Sequence, residues 1–127
     1  MSGFEELNVW QISLELSVNI YKDMKDSEDW SIKDQILRSA LSISSNIAEG
    51  HDRKSAKEFK RFLNIALPSC AELRSQLLFV KEVKILSATK VEEYIQITKR
   101  ISAMIVKLSK SISIRKEFTE KQKLESR

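Results

Sequence analysis

QILRSALSISSNIAEGHDRKSAKEFKRFLNIALPSCAEL, running from Gln35 to Leu73, decides the fold. Ile32, Ile36, Ala40, Ile43 and Ile47 recur at steps of three and four, so they share one face of a helix. Leu37, Leu41, Ser44 and Ala48 make a second stripe beside it. Together the stripes form an arc wide enough for two neighbouring helices. The remaining face is polar but scarcely charged: Gln35, Ser39, Ser42, Asn46, Glu49 and Arg53. Lys and Glu normally dominate a solvated face. Small hydroxyls with one Asn and one Glu suit a close helix contact, a second subunit or a hydrogen-bonded network. Buried polar groups usually satisfy one another, so a structural role outweighs a ligand-binding one here.

Gly50 closes this first arm, and the chain has only two glycines. A glycine just past a periodic run is expected to cap the helix in the left-handed conformation. His51 to Lys54 then form a short polar connection. Ser55 and Glu58 have the spacing of a capping box. From Phe59 an apolar stripe continues through Phe62, Leu63, Ala66, Cys70, Leu73, Leu77 and Val80, a helix of roughly 40 Å at 1.5 Å per residue. So short a loop between long helices makes them antiparallel neighbours. Pro68 interrupts the second helix, but the stripe carries on in phase, which predicts a kink and not a break.

Ser42-Ile43-Ser44-Ser45-Asn46-Ile47-Ala48-Glu49-Gly50, followed by Arg53, Ser55, Glu58-Phe59, Phe62-Leu63, Ile65-Ala66, Ser69 and Glu72-Leu73, resembles a known signature. It is that of the bacterial four-helix-bundle proteins encoded in intervening sequences of 23S rRNA genes. The opening Phe4-Glu5-Glu6-Leu7 with Val9-Trp10-Gln11 is similar to that family's start, and Gln35 and Arg38 fit its second helix. The likeness spans residues 4 to about 77. Leu37 departs from it where a second arginine is common, Ser44 where a proline is common, and Pro68 where a glycine is usual. The family is similar in turn to the accessory variability proteins of diversity-generating retroelements, which form pentameric rings and bind a reverse transcriptase and nucleic acid. The resemblance therefore implies a bundle and a homo-oligomer, a pentamer by analogy, more firmly than an activity.

Composition agrees. A chain of 127 residues with two glycines, one proline and one cysteine reads as one all-α domain without a disulfide framework. A single cysteine in an apolar stripe fits an inert core thiol in a reducing cytoplasm. The start carries Glu5 and Glu6 and no signal-like apolar run. No stretch approaches the 18 or so apolar residues of a membrane span. The net charge of +4 permits an acidic or nucleic-acid partner.

The other helices follow the same rules. The first is expected from about Glu5 to Lys25, with Leu7, Trp10, Leu14 and Tyr21 on its core face and Leu16, Val18 and Ile20 broadening it. Residues 25–29 make a turn, Trp30 a lid or a subunit contact, and Ser31 the next cap. Ser87 caps the last helix, whose stripe is Val91, Ile95, Thr98, Ile101, Ile105, Leu108 and Ile112. Ile97, Met104 and Val106 lie off that stripe, which favours an oligomer. The expected organisation is an antiparallel up-down four-helix bundle over residues 1–113. A basic, partly disordered tail follows over 114–127, with a nucleic-acid arm as the alternative reading.

Catalytic signals are weak. His51 is the only histidine and Cys70 the only cysteine, so no zinc set can be assembled. No Glu-x-x-His pair is present for a di-iron site. No enzyme, cofactor, metal or small-molecule substrate is expected. One charge feature stands out: Arg53, Lys54, Lys57, Lys60 and Arg61 cluster at the start of the third helix against Asp52 and Glu58. A helix N-terminus is already partly positive, so cations there are disfavoured unless they meet solvent or an anion. These five are the candidate nucleic-acid contacts. Gln35, Ser39, Ser42, Asn46 and Glu49 are the candidate oligomer or buried polar stripe. The expected role is an RNA- or ribonucleoprotein-binding adaptor, with a protein-only scaffold as the alternative.

Overall fold

The computed structural model describes residues 3–125, without the side chains of 114–120 and 123. A single 3-10 turn at Phe4–Glu6 leads into α1 (Asn8–Met24), α2 (Trp30–Asp52), α3 (Ala56–Glu82) and α4 (Ala88–Glu125). Cross-helix bonds show the antiparallel order, because one residue number rises as its partner's falls. Ser39 meets Glu72 and Ser42 meets Ser69 between α2 and α3. Lys60 meets Ser113, Arg74 meets Ser102 and Lys81 meets Glu92 between α3 and α4. Asp23, near the end of α1, accepts from Tyr94, near the start of α4.

The stripes of α2, α3 and α4 pack as their spacing requires. Ile36, Ile43 and Ile47 of α2 meet Leu63, Leu73, Leu77 and Val80 of α3 and Val91, Ile101 and Ile105 of α4, all fully buried. Cys70 is a buried free thiol, and burial pushes its pKa up. Ser87 caps α4 by accepting from the Lys90 amide at 3.2 Å. α3 passes through Pro68 without a break.

Four details differ from expectation. In α1 the core face is Val9, Ser13, Leu16, Ser17, Ile20 and Met24, whereas Leu14, Val18 and Tyr21 are exposed. α2 begins at Trp30, so Ser31 lies inside it and caps nothing; Trp30 itself is 71% exposed under the Lys33 ammonium. Gly50 is not a cap. α2 continues to Asp52, no glycine has positive φ, and the left-handed residue is Lys54 at φ 58. Gly50 is needed instead because a Cβ there would stand 2.6 Å from Phe62 Cβ: its missing side chain lets α2 and α3 close. Finally, α4 stays helical past residue 113 to Glu125. The expected basic arm, 114–127, falls largely on the side chains of 114–120 and 123 and on residues 126–127, which lie outside what is described.

Candidate nucleic-acid interface

The α2–α3 corner is three residues long. The Arg53 amide donates back to the Gly50 carbonyl at 3.3 Å, Lys54 reverses the chain, and Ser55 opens α3. A non-glycine residue in the left-handed region costs about 1–2 kcal/mol. Ser55 Oγ accepts from the Glu58 amide at 3.3 Å, which is half of the expected capping box. The other half is missing, because the Glu58 carboxylate turns to Arg61, at 2.8 Å.

The five cations do not form one patch. Successive residues on a helix diverge by about 100°, so neighbours in sequence face different ways. Arg53 is paired with Glu49 at 2.9 Å and Arg61 with Glu58 at 2.8 Å. Their guanidinium carbons lie 5.2 and 4.5 Å from the centre of the buried Phe62 ring, so the two arginines flank one aromatic. The hydrogen bond from Arg61 holds the Glu58 carboxyl below its usual range and raises Arg61 in turn. Both carboxylate pairs are exposed, so they neutralise charge more than they stabilise the fold. Lys60 points to the opposite side and donates to Ser113 of α4. Lys54 and Lys57 are exposed and make no ion pair among the described residues. Beside the corner, His51 packs edge-on against Phe59, and its Nδ1 is buried without a hydrogen-bond partner.

The side of the corner occupied by Lys60 continues onto α4. From Tyr94 to Lys116 the sequence has no Asp or Glu but holds Lys99, Arg100, Lys107, Lys110, Arg115 and Lys116. On α3, Phe59 to Ala71 is acid-free too. Lys107 and Lys110 lie near the middle of α4, which runs to Glu125. Their neighbourhood with Lys60 depends on α4 packing back along α3, which periodicity does not reveal. The acid-free run itself was the available signal.

The polar stripe of α2 lies along its seam with α3. Ser39 is buried and donates to Glu72 at 3.2 Å. Asn46 Nδ2 donates to the Ser42 carbonyl and hydroxyl, at 2.7 and 3.0 Å. Ser69 spends its one proton on the Ile65 carbonyl, so Ser42 is the donor of the 3.0 Å bond between the two hydroxyls. Glu49 pairs with Arg53, and Gln35 is exposed. The stripe thus finds its partners within the chain, apart from the exposed Gln35 at one end; beside it, Gln76 donates to Glu72 while its Oε1 is buried without a partner.

Residues 5–107 match the family described as 23S rRNA-intervening sequence protein. The chain belongs to that family. Among solved structures it is similar to a protein of unknown function from the S23 ribosomal protein family of Bacteroides thetaiotaomicron. The two share 28% identity and a TM-score of 0.74, over 80% of this chain and 98% of that one. No curated protein matches it.

In this 23S rRNA-intervening sequence protein, no group of three or more His, Cys, Asp or Glu among the described residues is placed to hold a metal ion. No helix among them is long and apolar enough to cross a membrane. An apolar groove of about 600 Å³ runs between α1 and α2, lined by Leu14, Val18, Tyr21, Leu37 and Leu41 and bordered by the exposed Asp34–Arg38 pair.

Proposed function

We propose that the chain is a non-catalytic, homo-oligomeric adaptor of the cytoplasm that binds RNA or a ribonucleoprotein at the α2–α3 corner. The observation behind this reading is the pair of exposed lysines, Lys54 and Lys57, without carboxylate partners at the positive end of α3. Phosphate answers both the side chains and the helix end. The apolar α1–α2 groove supports assembly, since contiguous exposed apolar surface usually marks an interface. The family's similarity to ring-forming retroelement accessory proteins points the same way. A ring would multiply weak phosphate contacts by avidity.

The test is RNA binding measured against salt, with solution mass from light scattering. The triple variant Lys57→Glu, Lys60→Glu, Arg61→Glu should lose RNA at unchanged mass and helicity. An unaltered protein that fails to bind RNA even at low salt would end this reading. The α1–α2 groove also favours a second one, a scaffold with a protein partner only. That alternative predicts a partner complex surviving nuclease and high salt.

A further inference from the structure

The corner is one end of a longer surface. Two shallow depressions meet beside it. One, of about 450 Å³, lies between α3 and α4; Lys60 and Asn64 line it from α3, and Ser109, Lys110 and Ser113 from α4. The other, of about 440 Å³, lies on the outer side of α4 and takes in Ser102 and Lys107. The two share Val106 and Lys110. No carboxylate among the described residues lines either of them.

We infer that this α3–α4 groove binds the phosphodiester backbone of a single-stranded nucleic acid, with Lys60, Lys107 and Lys110 as its phosphate contacts. The inference rests on the adaptor reading and moves its contact surface from the corner to a groove along the bundle. Three features select this ligand class. First, the charge is linear: on α4 alone, Lys99, Lys107 and Lys110 span about 16 Å at 1.5 Å per residue. A spread-out row of cations suits a chain of phosphates better than one small anion. Second, Lys107 and Lys110 have no ion pair among the described residues, so phosphate displaces counterions and not protein carboxylates. Third, the Ser109 hydroxyl and the Asn64 amide can donate to phosphate or sugar oxygens, whereas Ser113 already donates to the Ser109 carbonyl and accepts from Lys60. No aromatic side chain among the described residues lines the groove, and the contacts its lysines, Ser109 and Asn64 offer are to phosphate and sugar, which carry no sequence information. Binding there is insensitive to base sequence.

The experiment uses the full chain with labelled oligouridine, mixed-sequence RNA and oligodeoxythymidine of equal length. Affinity is followed from about 50 to 200 mM salt, and helicity and solution mass serve as controls. The two RNAs should bind alike. Whether oligodeoxythymidine matches them tells whether the 2′-hydroxyl is read, and so which nucleic acid is the source. Lys107→Gln with Lys110→Gln leaves all five corner cations in place. It should reduce the slope of log affinity against log salt by about 1.4, at roughly 0.7 per phosphate contact on a single strand. Lys107→Glu with Lys110→Glu should remove binding. If RNA binds the unaltered protein and these variants bind it equally well, while Lys54→Glu with Lys57→Glu does not, the groove is refuted and the adaptor reading stands. If the unaltered protein binds no nucleic acid, both fall. A strong base preference would also overturn the groove.

Discussion

Gly50→Ala distinguishes a glycine kept for helix packing from one kept for a turn. Gly50 sits inside α2 with helical backbone, where alanine is favoured over glycine by about 1 kcal/mol. Against that gain stands the approach of α3. The new Cβ would lie 2.6 Å from Phe62 Cβ, short of the 3.4 Å at which ordinary contact begins, and 3.2 Å from Phe59 Cδ1. Phe62 Cβ is fixed to the α3 backbone, so no rotamer change relieves the contact, and the helices must part. Overpacking of this kind costs about 1–3 kcal/mol. The net expectation is a destabilisation of about 1 kcal/mol, read as a lower urea midpoint at unchanged slope and fixed protein concentration.

The decisive comparison is made in a Phe62→Gly background, which removes the opposing Cβ. There Gly50→Ala should turn from destabilising to stabilising, because the propensity gain survives and the principal clash does not. If Gly50→Ala stabilises the unaltered protein by about the full helix-propensity difference, the close-approach argument is wrong.

Three further outcomes are expected. Lys54→Gly relieves a left-handed backbone worth about 1–2 kcal/mol but gives up about 0.5–1 kcal/mol through a looser unfolded chain, so the unfolding midpoint should hold or rise slightly while RNA affinity drops. A clear loss of stability would mean that the Lys54 side chain supports the corner. Glu58 has its pKa depressed below 4.5, chiefly by the Arg61 bond, so its contribution is present above pH 4.5 and lost as pH falls through the lower folded value. The stability difference between the unaltered protein and Glu58→Gln should therefore close in acid; a difference that persists there would contradict this. Tyr94 is raised well above its ordinary 10.0, first by burial and then by its bond to Asp23. That contribution is complete below pH 10 and fades as pH climbs toward the folded value, so Tyr94→Phe should cost about 1 kcal/mol at neutral pH and less in alkali.

The legible part of the fold is the part with large side chains on one face. α2, α3 and α4 keep Ile, Leu and Val at steps of three and four, and those residues are the core. α1 misleads because apolar residues surround it. Its inner face uses Ser13 and Ser17, whose hydroxyls donate to the carbonyls of Val9 and Ser13 at 2.7 and 3.1 Å. Serine that satisfies itself on its own helix can be buried cheaply, so Leu14, Val18 and Tyr21 are left outside. A pattern search by hydrophobicity ranks those residues in the opposite order. Gly50 reads in sequence as a helix stop, yet the atom it makes room for belongs to another helix. For the site, a contiguous cluster of charge was easy to see. Its division between two sides of α3 followed from helical rotation, and its continuation onto α4 followed from tertiary packing.

Charge at the corner alone does not require an anion. Arg53 and Arg61 already have carboxylates, and two exposed lysines at a helix N-terminus cost only about 0.3–1 kcal/mol each before salt screening. A solvated surface tolerates that. Continuity of the unpaired cations weighs more. Lys57 and Lys60 stand three residues apart on α3, and so are neighbours on its surface. Lys60 reaches Ser113 and shares a depression with Lys110. The unpaired cations of the corner therefore lead into the acid-free groove, and the carboxylate-paired arginines stay on the Phe62 side. A protein that needed only a soluble surface had many positions for a glutamate along α4 between Tyr94 and Lys116, and has none. Placing one there, as Ala103→Glu on the outer side of α4, should weaken RNA binding without touching a single lysine. If it does not, the missing carboxylates carry no functional meaning and the row of lysines reduces to a solubilising face.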